Sequence, residues 1–309
     1  MNRIQKLLSL LLILALALSL SGCSVVTITK AAKTMSSLES VTADVSLDLS
    51  VDMTMMDESM PFAVSVSGPF DFDLANGKGK ASLTVDLMGE PLTILFYYEK
   101  LEDKVVTYVS ADGGANWTKT ETPVPAESEK SSSSLKSLAM LKKLSASFEE
   151  TGTETVNGNE AVLYSGNILW EELAAEADLS AAMETAGSAA GTELDLSGFD
   201  LAALGSIPVT IGYDKQNALV VKASADLTET VQNLVPMIMK IAMQSIAAQS
   251  GEAASGEMEM PDLSTLGIDV NIQLLTVSAD LYNFDAVGEI VIPAEALAAE
   301  AIPLTAVAA

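Results

Sequence analysis

From Ala43 to Met55 the chain alternates without interruption. Ala43, Val45, Leu47, Leu49, Val51, Met53 and Met55 are apolar, and Asp44, Ser46, Asp48, Ser50, Asp52 and Thr54 between them are polar. In an extended backbone successive side chains point to opposite faces, so the pattern makes one face dry and the other wet. The 3.6-residue period of a helix would scatter both kinds around its circumference. The segment is therefore expected to be a long strand of an antiparallel sheet with its core on one side. Asp44, Asp48 and Asp52 share the wet face. Carboxylates so placed suit calcium or plain solvation, and solvation is the expectation.

Shorter segments of the same kind follow. Phe62–Val66 and Phe70–Leu74 read as strands separated at Gly68-Pro69, and Asn76-Gly77 is a hairpin signal. Ala81–Leu87 and Leu92–Tyr98 are split by Gly89-Glu90-Pro91, and Lys104–Val109 pairs with Asn116–Glu121 across Asp112-Gly113-Gly114. Residues 43–121 thus predict an antiparallel meander. Residues 122–134 read as a loop, and Leu135, Leu138, Leu141, Leu144 and Phe148 recur at helical spacing. A hairpin over Glu154–Val156 and Ala161–Ser165 turns at Asn157-Gly158, a helix is expected over Ile168–Met183, and the Ala/Gly/Ser-rich 186–205 is expected to be mobile. Ile207–Tyr213 and Leu219–Leu227 form another hairpin. Thr230–Gln249 is an apolar, Met-rich helix, Ser250–Pro261 a polar loop, and Ile268–Phe284 a last long strand. The Ala-rich tail from Pro293 is expected to fray. The fold class implied is α+β: one large curved antiparallel sheet with helices on its concave face.

The first residues have a different character. Arg3 and Lys6 precede an apolar run from Leu7 to Leu20, which ends in Ser21 and Gly22 immediately before Cys23. This is the charge–apolar–small layout of a secretory signal, and the run is shorter than the roughly 20 residues that span a bilayer. Cys23 is the sole cysteine, so it has no disulfide partner within the chain. Leu20-Ser21-Gly22-Cys23 resembles the lipobox of bacterial lipoproteins. That resemblance implies cleavage before Cys23, a diacylglyceryl group on its thiol, acylation of the freed amine, and a chain held on the extracytoplasmic face of the cell membrane. Two or three acyl chains anchor stably where one does not.

Composition removes several functions. The formal charge is −26, and without residues 1–22 it becomes −28, because that segment carries Arg3 and Lys6 and no acid. Nucleic acid is excluded as a partner, and an anionic bilayer would hold such a chain by its acyl anchor alone. There is no histidine, so the commonest general base and metal ligand are absent. With Cys23 lipidated, thiol catalysis and Cys/His zinc sites go too. No catalytic residue, metal site or cofactor is expected, and the chain is not read as an enzyme.

Ser110-Ala111-Asp112-Gly113-Gly114-Ala115-Asn116-Trp117 fits Ser-x-Asp-x-Gly-x-x-Trp and resembles the Asp-box of sialidases and related propellers. There the motif staples a hairpin. It occurs once here and is read as such a staple, not as a glycosidase site. Asn116-Trp117-Thr118 matches a glycosylation sequon and is read as chance. Asp71 and Asp73, on one strand face, suit a wet surface better than an acid/base pair.

The layout as a whole is similar to the LolA/LppX/LprG-type lipoproteins. It has a lipobox, a short helix ending near Ser40-Val41-Thr42-Ala43, a long first strand, a meander, and a closing strand before Val291-Ile292-Pro293. That resemblance implies an open half-barrel with helices over an apolar cavity, and several of its members bind lipids or acylated molecules. The organisation expected is a signal peptide at 1–22, a lipidated tether and short helix at 23–42, a LolA/LppX-like β-rich domain at 43–295 and a tail at 296–309. Met53, Met55, Met56 and Met60, with Met237, Met239 and Met243, supply adaptable apolar surface for such a ligand. The function expected is an extracytoplasmic lipoprotein that binds or carries a lipid or other apolar ligand, whose binding residues the sequence leaves unknown. The alternative is a non-catalytic surface scaffold, sensor or interaction protein.

Overall fold

The computed structural model describes residues 34–55, 58–123, 148–177, 201–237 and 268–302. Twelve strands form one sheet: β1 (Ser40–Met55), β2 (Glu58–Asp73), β3 (Lys78–Leu87), β4 (Glu90–Lys100), β5 (Lys104–Ser110), β6 (Thr118–Pro123), β7 (Glu149–Val156), β8 (Asn159–Leu169), β9 (Ser206–Asp214), β10 (Leu219–Asp226), β11 (Ile268–Tyr282) and β12 (Ala301–Ile302). Their order is β12-β6-β5-β4-β3-β2-β1-β11-β10-β9-β8-β7. All neighbours are antiparallel except β12, which adds to β6 in parallel. The sheet is open, with β7 and β12 at its two edges. This is the expected α+β open half-barrel.

The described chain enters the sheet near its middle, at β1. It builds outward from β1 to β6, resumes at the opposite edge with β7, and returns inward to β11, which pairs with β1 from Thr42↔Tyr282 to Met55↔Ile268. The turns are built from local chemistry. The Asp73 carboxylate accepts the Asn76 amide N–H at 3.0 Å before Gly77 turns the chain. Asn157 and Gly158 both take the positive φ of a type I′ turn (47° and 82°). The buried Asp214 carboxylate accepts the amide N–H of Gln216 and of Asn217 at 2.8 and 3.1 Å.

The main core lies on the face that carries the odd-numbered residues of β1. Val41 and Ala43 pack there with Phe72, Leu281, Ile211, Val209, Tyr164 and Ile168. Covering them are Met35 from the helical turn at 34–36, Phe148, and Leu173 from the helix Trp170–Ala177. The Trp170 indole N–H donates to Thr230 Oγ1 at 2.8 Å and so ties that helix to the one at 228–237.

Several expectations are corrected. The first strand begins at Ser40 and not Ala43, because Ser40 and Val41 already pair with Asp73 and Phe72. Gly68-Pro69 does not divide a strand: β2 runs through it paired to β1, and only the ladder to β3 is interrupted there. Ile168 and Leu169 end β8 before the helix begins at Trp170. Leu201–Leu204, placed in the mobile stretch, is a 3-10 turn with Leu204 buried. The chain also does not fray at Pro293 but stays ordered in the structure as far as Ile302. Ile290, Ile292 and Ala296 are buried, the helix Ala294–Leu297 packs against Val106 and Tyr108, and β12 extends the sheet. That helix lies on the face opposite the main core, so the helices are not confined to one side. The helix expected over 135–148 apart from Phe148, the loop 250–261, and Met239 and Met243 lie outside the described residues, as does Cys23.

Gly68 has φ of 147°, and a Cβ there would overlap the carbonyl oxygen of Ser82 on β3. Gly68→Ala is expected to destabilise by about 2–3 kcal/mol, read from the urea midpoint. Gly288 has open space where its Cβ would be, so Gly288→Ala should stay within about 0.5 kcal/mol. Equal midpoints for the two variants would contradict this account of the β2–β3 approach.

Candidate functional site: the uncovered apolar face

Residues directly opposite on antiparallel strands share a face, so the register gives the apolar face row by row. Near the start of β1, Ala43 stands beside Phe70 on one side and Leu281 on the other, and Phe70 stands beside Ala81, which faces Phe96. Four residues along β1, Leu47 aligns with Val66, Val85, Leu92 and Val277. Further on come Leu49 with Val64, Leu87 and Leu275, then Val51 with Phe62 and Ile272, and finally Met53 with Met60 and Val270.

Cover over this face is uneven. Val41, Ala43, Phe72 and Leu281 are buried under the helices, Leu47, Val64, Val66, Val85 and Val277 are half-buried, and Met53, Met60, Leu87 and Leu92 are exposed. Exposure does not rise steadily along the floor: Val51 and Ile272, beyond Leu49, are buried again, and the row of Leu49, Val64 and Leu87 ends in Glu90. An aromatic cluster marks the closed end. Phe70 and Phe72 stack at 4.3 Å between ring centroids, with Phe96 and Tyr98 tilted against Phe70 at 5.6 and 6.4 Å. Gly79 has no side chain, which lets the Tyr98 ring lie across β3 where a Cβ would stand. Burial, and secondarily the nearby Asp73, pushes the Tyr98 phenol up to about 12. No charged side chain occupies the rows from Ala43 to Met53 on β1 and β2.

The opposite face is polar, as the alternation predicts. Ser46 and Ser278 hydroxyls meet at 2.8 Å, Thr42 donates to Asp71 at 2.6 Å, and the Tyr282 hydroxyl donates to Asp44 at 3.1 Å. Asp71 also pairs with Lys80 at 3.1 Å, and Asp73 caps its turn, so neither is arranged as an acid/base couple. Asp44 stands directly opposite Asp280, whose carboxyl is pushed up mainly by burial against the opposing pull of Lys222. Among the described residues no group of three or more acidic, His or Cys side chains is placed to hold a metal ion.

The Asp-box pattern folds as a staple on the β5–β6 hairpin. The Ser110 hydroxyl donates to Asp112 at 2.7 Å and accepts the Gly114 amide N–H at 2.9 Å. Asp112 accepts both the backbone and the side-chain N–H of Asn116, at 2.9 and 2.6 Å. The Trp117 indole N–H donates to the Gly114 carbonyl at 3.0 Å, and its ring meets Tyr97 edge-on at 5.7 Å. The Ser110 hydroxyl, the Asp112 carboxylate and the Trp117 indole N–H are thus all engaged within the loop.

A cleft of about 390 Å3 lies elsewhere, between β9, the end of β10 and the helix at 228–237. It is lined by Pro208, Asp226, Thr228, Glu229, Gln232 and Asn233. This is not the enclosed apolar cavity that the layout implies: it is partly open and carries two carboxylates, Asp226 and Glu229. Asp226 is engaged in accepting the Thr228 amide N–H at 2.9 Å, and Thr228 in accepting that of Leu275 at 2.9 Å. The uncovered apolar floor is the better candidate. Register, the signal that defines it, could not be read before the pairing of β1 with β11 was known.

No family model matches the chain, and no curated protein matches it. Solved structures similar to it include the Mycobacterium tuberculosis lipoprotein LppX, with 12% identity over 86% of this chain and 96% of that one and a TM-score of 0.34. LprF from Mycobacterium bovis has 14% identity over 88% and 96%, with a TM-score of 0.33. Likenesses of this order carry no functional information. The functional reading rests on the residues above.

The hydrogen bonds from Asn116, and then from Ser110, hold the Asp112 carboxyl down at about 2. A group depressed on folding stabilises the fold above its unfolded value of about 3.9 and loses that contribution as pH falls through its folded value. The β5–β6 loop should therefore keep its amide protection until the pH drops from about 4 towards about 2. An NMR titration of Asp112 with a midpoint near 4 would contradict the staple.

Proposed function

We propose that the chain is a membrane-anchored extracytoplasmic lipoprotein whose open sheet holds the acyl chain of a lipid, or a ligand of similar apolar shape. The observation that carries this reading is the row of apolar side chains on β1, β2 and β11 that extends beyond Met35, Phe148 and Leu173, the described residues packed over its closed end. From Val45 to Met53 the floor is about 26 Å long at strand rise. Each methylene removed from water contributes about 0.8 kcal/mol, so an acyl chain laid along these rows gains affinity without any charged partner. Leaving the rows bare has the opposite sign, because exposed apolar surface on a monomer favours association. The anchor is assigned to Cys23 through Leu20-Ser21-Gly22-Cys23, and no cofactor or catalytic residue takes part.

A second reading, an interaction protein without a ligand, draws on the exposed Leu87, Met88 and Leu92 on one hairpin. The two readings differ in what a charge on the floor does. Val85 is half-buried beside Val66 and Leu92, so Val85→Asp puts a carboxylate in the path of an acyl chain. Titration with a fluorescent fatty acid should give saturable binding to the wild type and at least about tenfold weaker binding to Val85→Asp. The circular dichroism spectra of the two should be the same. Wild type that binds no acyl probe would sink the carrier reading and leave the interaction protein.

Cys23→Ala tests the anchor separately. Metabolic labelling with a fatty acid should disappear, and some of the mature chain, at a formal −28, should be released, since nothing electrostatic holds it to anionic lipid. Labelling that persists in Cys23→Ala would refute the lipobox reading.

A further inference from the structure

The open end of the floor is lined by thioethers where aliphatic side chains would serve as well. Met53 and Met60 are direct cross-strand partners on the apolar face and are 38% and 44% exposed. Met88, at the tip of the neighbouring β3–β4 hairpin, is 66% exposed. Met88 lies towards the same end of the sheet, because its amide N–H donates to the carbonyl of Ala63, three residues from Met60 on β2, at 3.1 Å.

Met88 is the least expected of the three. Met88 and Gly89 have φ of 56° and 92°, a turn whose first position favours Asn or Asp, and the chain uses Asn at the same position of its Asn157-Gly158 turn. A non-glycine side chain without local hydrogen bonding is disfavoured at positive φ. Turn geometry therefore does not account for Met88, and neither does burial.

We propose that Met53, Met60 and Met88 form an oxidation-responsive lip, a modification site for hydrogen peroxide or a hypohalous acid. In the peroxide reaction the thioether sulfur attacks one oxygen, the O–O bond breaks, and the sulfur gains that oxygen as a sulfoxide. The sulfur is oxidised by two electrons while the peroxide is reduced to water. The product is polar, chiral and a hydrogen-bond acceptor. At the mouth of an apolar floor it must keep its water, so it opposes entry of an acyl chain. The modification is reversible by sulfoxide reduction, so the lip switches and is not destroyed. Exposure sets the selectivity: Met35, in the main core, is only 6% exposed. This inference rests on the reading of the floor as an acyl site.

The experiment treats the folded chain with hydrogen peroxide, maps the added oxygen by peptide mass spectrometry, and titrates a fluorescent fatty acid before and after. Oxygen should appear on Met53, Met60 and Met88 well before Met35, and affinity should fall about tenfold or more, the effect of a polar group placed in an apolar path. Methionine sulfoxide reductase should restore it. The triple variant Met53→Leu, Met60→Leu, Met88→Leu, whatever its starting affinity, should show the same affinity before and after treatment. Met35 oxidised as fast as the lip, unchanged affinity of the oxidised wild type, or an equal loss in the triple variant would each overturn the proposal. Absence of binding to the untreated wild type would instead overturn the floor reading, and the lip with it.

Discussion

The ladder between β1 and β11 is the contact on which the rest of the molecule depends. Its partners are more than 200 residues apart in sequence, from Thr42↔Tyr282 to Met55↔Ile268. Without it the sheet would be two separate meanders, each with a long unpaired edge, and such edges invite pairing with other chains. With it, β1 has partners on both sides along its whole length, and its apolar residues form the middle of a single floor. Closing so long a loop costs entropy that grows only slowly with length, but it delays folding, because the rewarding contacts come last. Local hydrogen bonds secure the junction: Asp285 accepts the Glu39 amide N–H at 2.6 Å, and Ser40 Oγ accepts that of Val287 at 3.1 Å.

From that junction the chain covers the two faces of the sheet differently. On the apolar face Met35, Phe148 and Leu173 cover the rows near Val41 and Phe72, and Met53 and Met60 are exposed beyond the buried Val51 and Ile272. On the other face the C-terminal segment brings Ile292 and Ala296 onto Val106 and Tyr108, with Tyr97 and Trp117 beside them. The Tyr108 hydroxyl, buried there, donates to Glu99 at 2.8 Å, and burial together with that carboxylate pushes its phenol well up. The second small core closes the β6 edge, where β12 adds beside Lys119 and Thr120. At the other edge β7 exposes Glu149, Glu150 and Glu154 and carries an irregularity between Glu150 and Gly152, features that discourage edge-to-edge pairing.

Much of this was legible in the sequence because it is local. The period of two over residues 43–55 is a property of neighbouring residues, and so are the turns at Asn76-Gly77, Asn157-Gly158 and Asp112-Gly113-Gly114. The polar face of Asp44, Asp48 and Asp52 also followed from alternation. What failed did so where local signals mislead. Gly68-Pro69 reads as a break, yet β1 holds the strand through it, and Gly68 is required because β3 passes too close for a Cβ. The Ala-rich stretch after Pro293 reads as a tail because alanine carries little hydrophobic signal, yet Ala296 is fully buried for being small enough to sit on Tyr108 and Val106.

By itself the sequence determined most of the elements and their wet and dry faces, and it lacks histidine, the commonest general base and metal ligand. It also contains Leu20-Ser21-Gly22-Cys23, a motif that needs no fold to be read. Only the tertiary structure decided which strands are neighbours, and hence that Leu47, Val66, Val85 and Val277 form one row. It also decided where that row emerges from beneath the helices. The reason is physical: alternation says that a face must be dry, but pairing register and helix placement settle what covers it. Register is a property of two segments together, and here the decisive two lie at opposite ends of the chain.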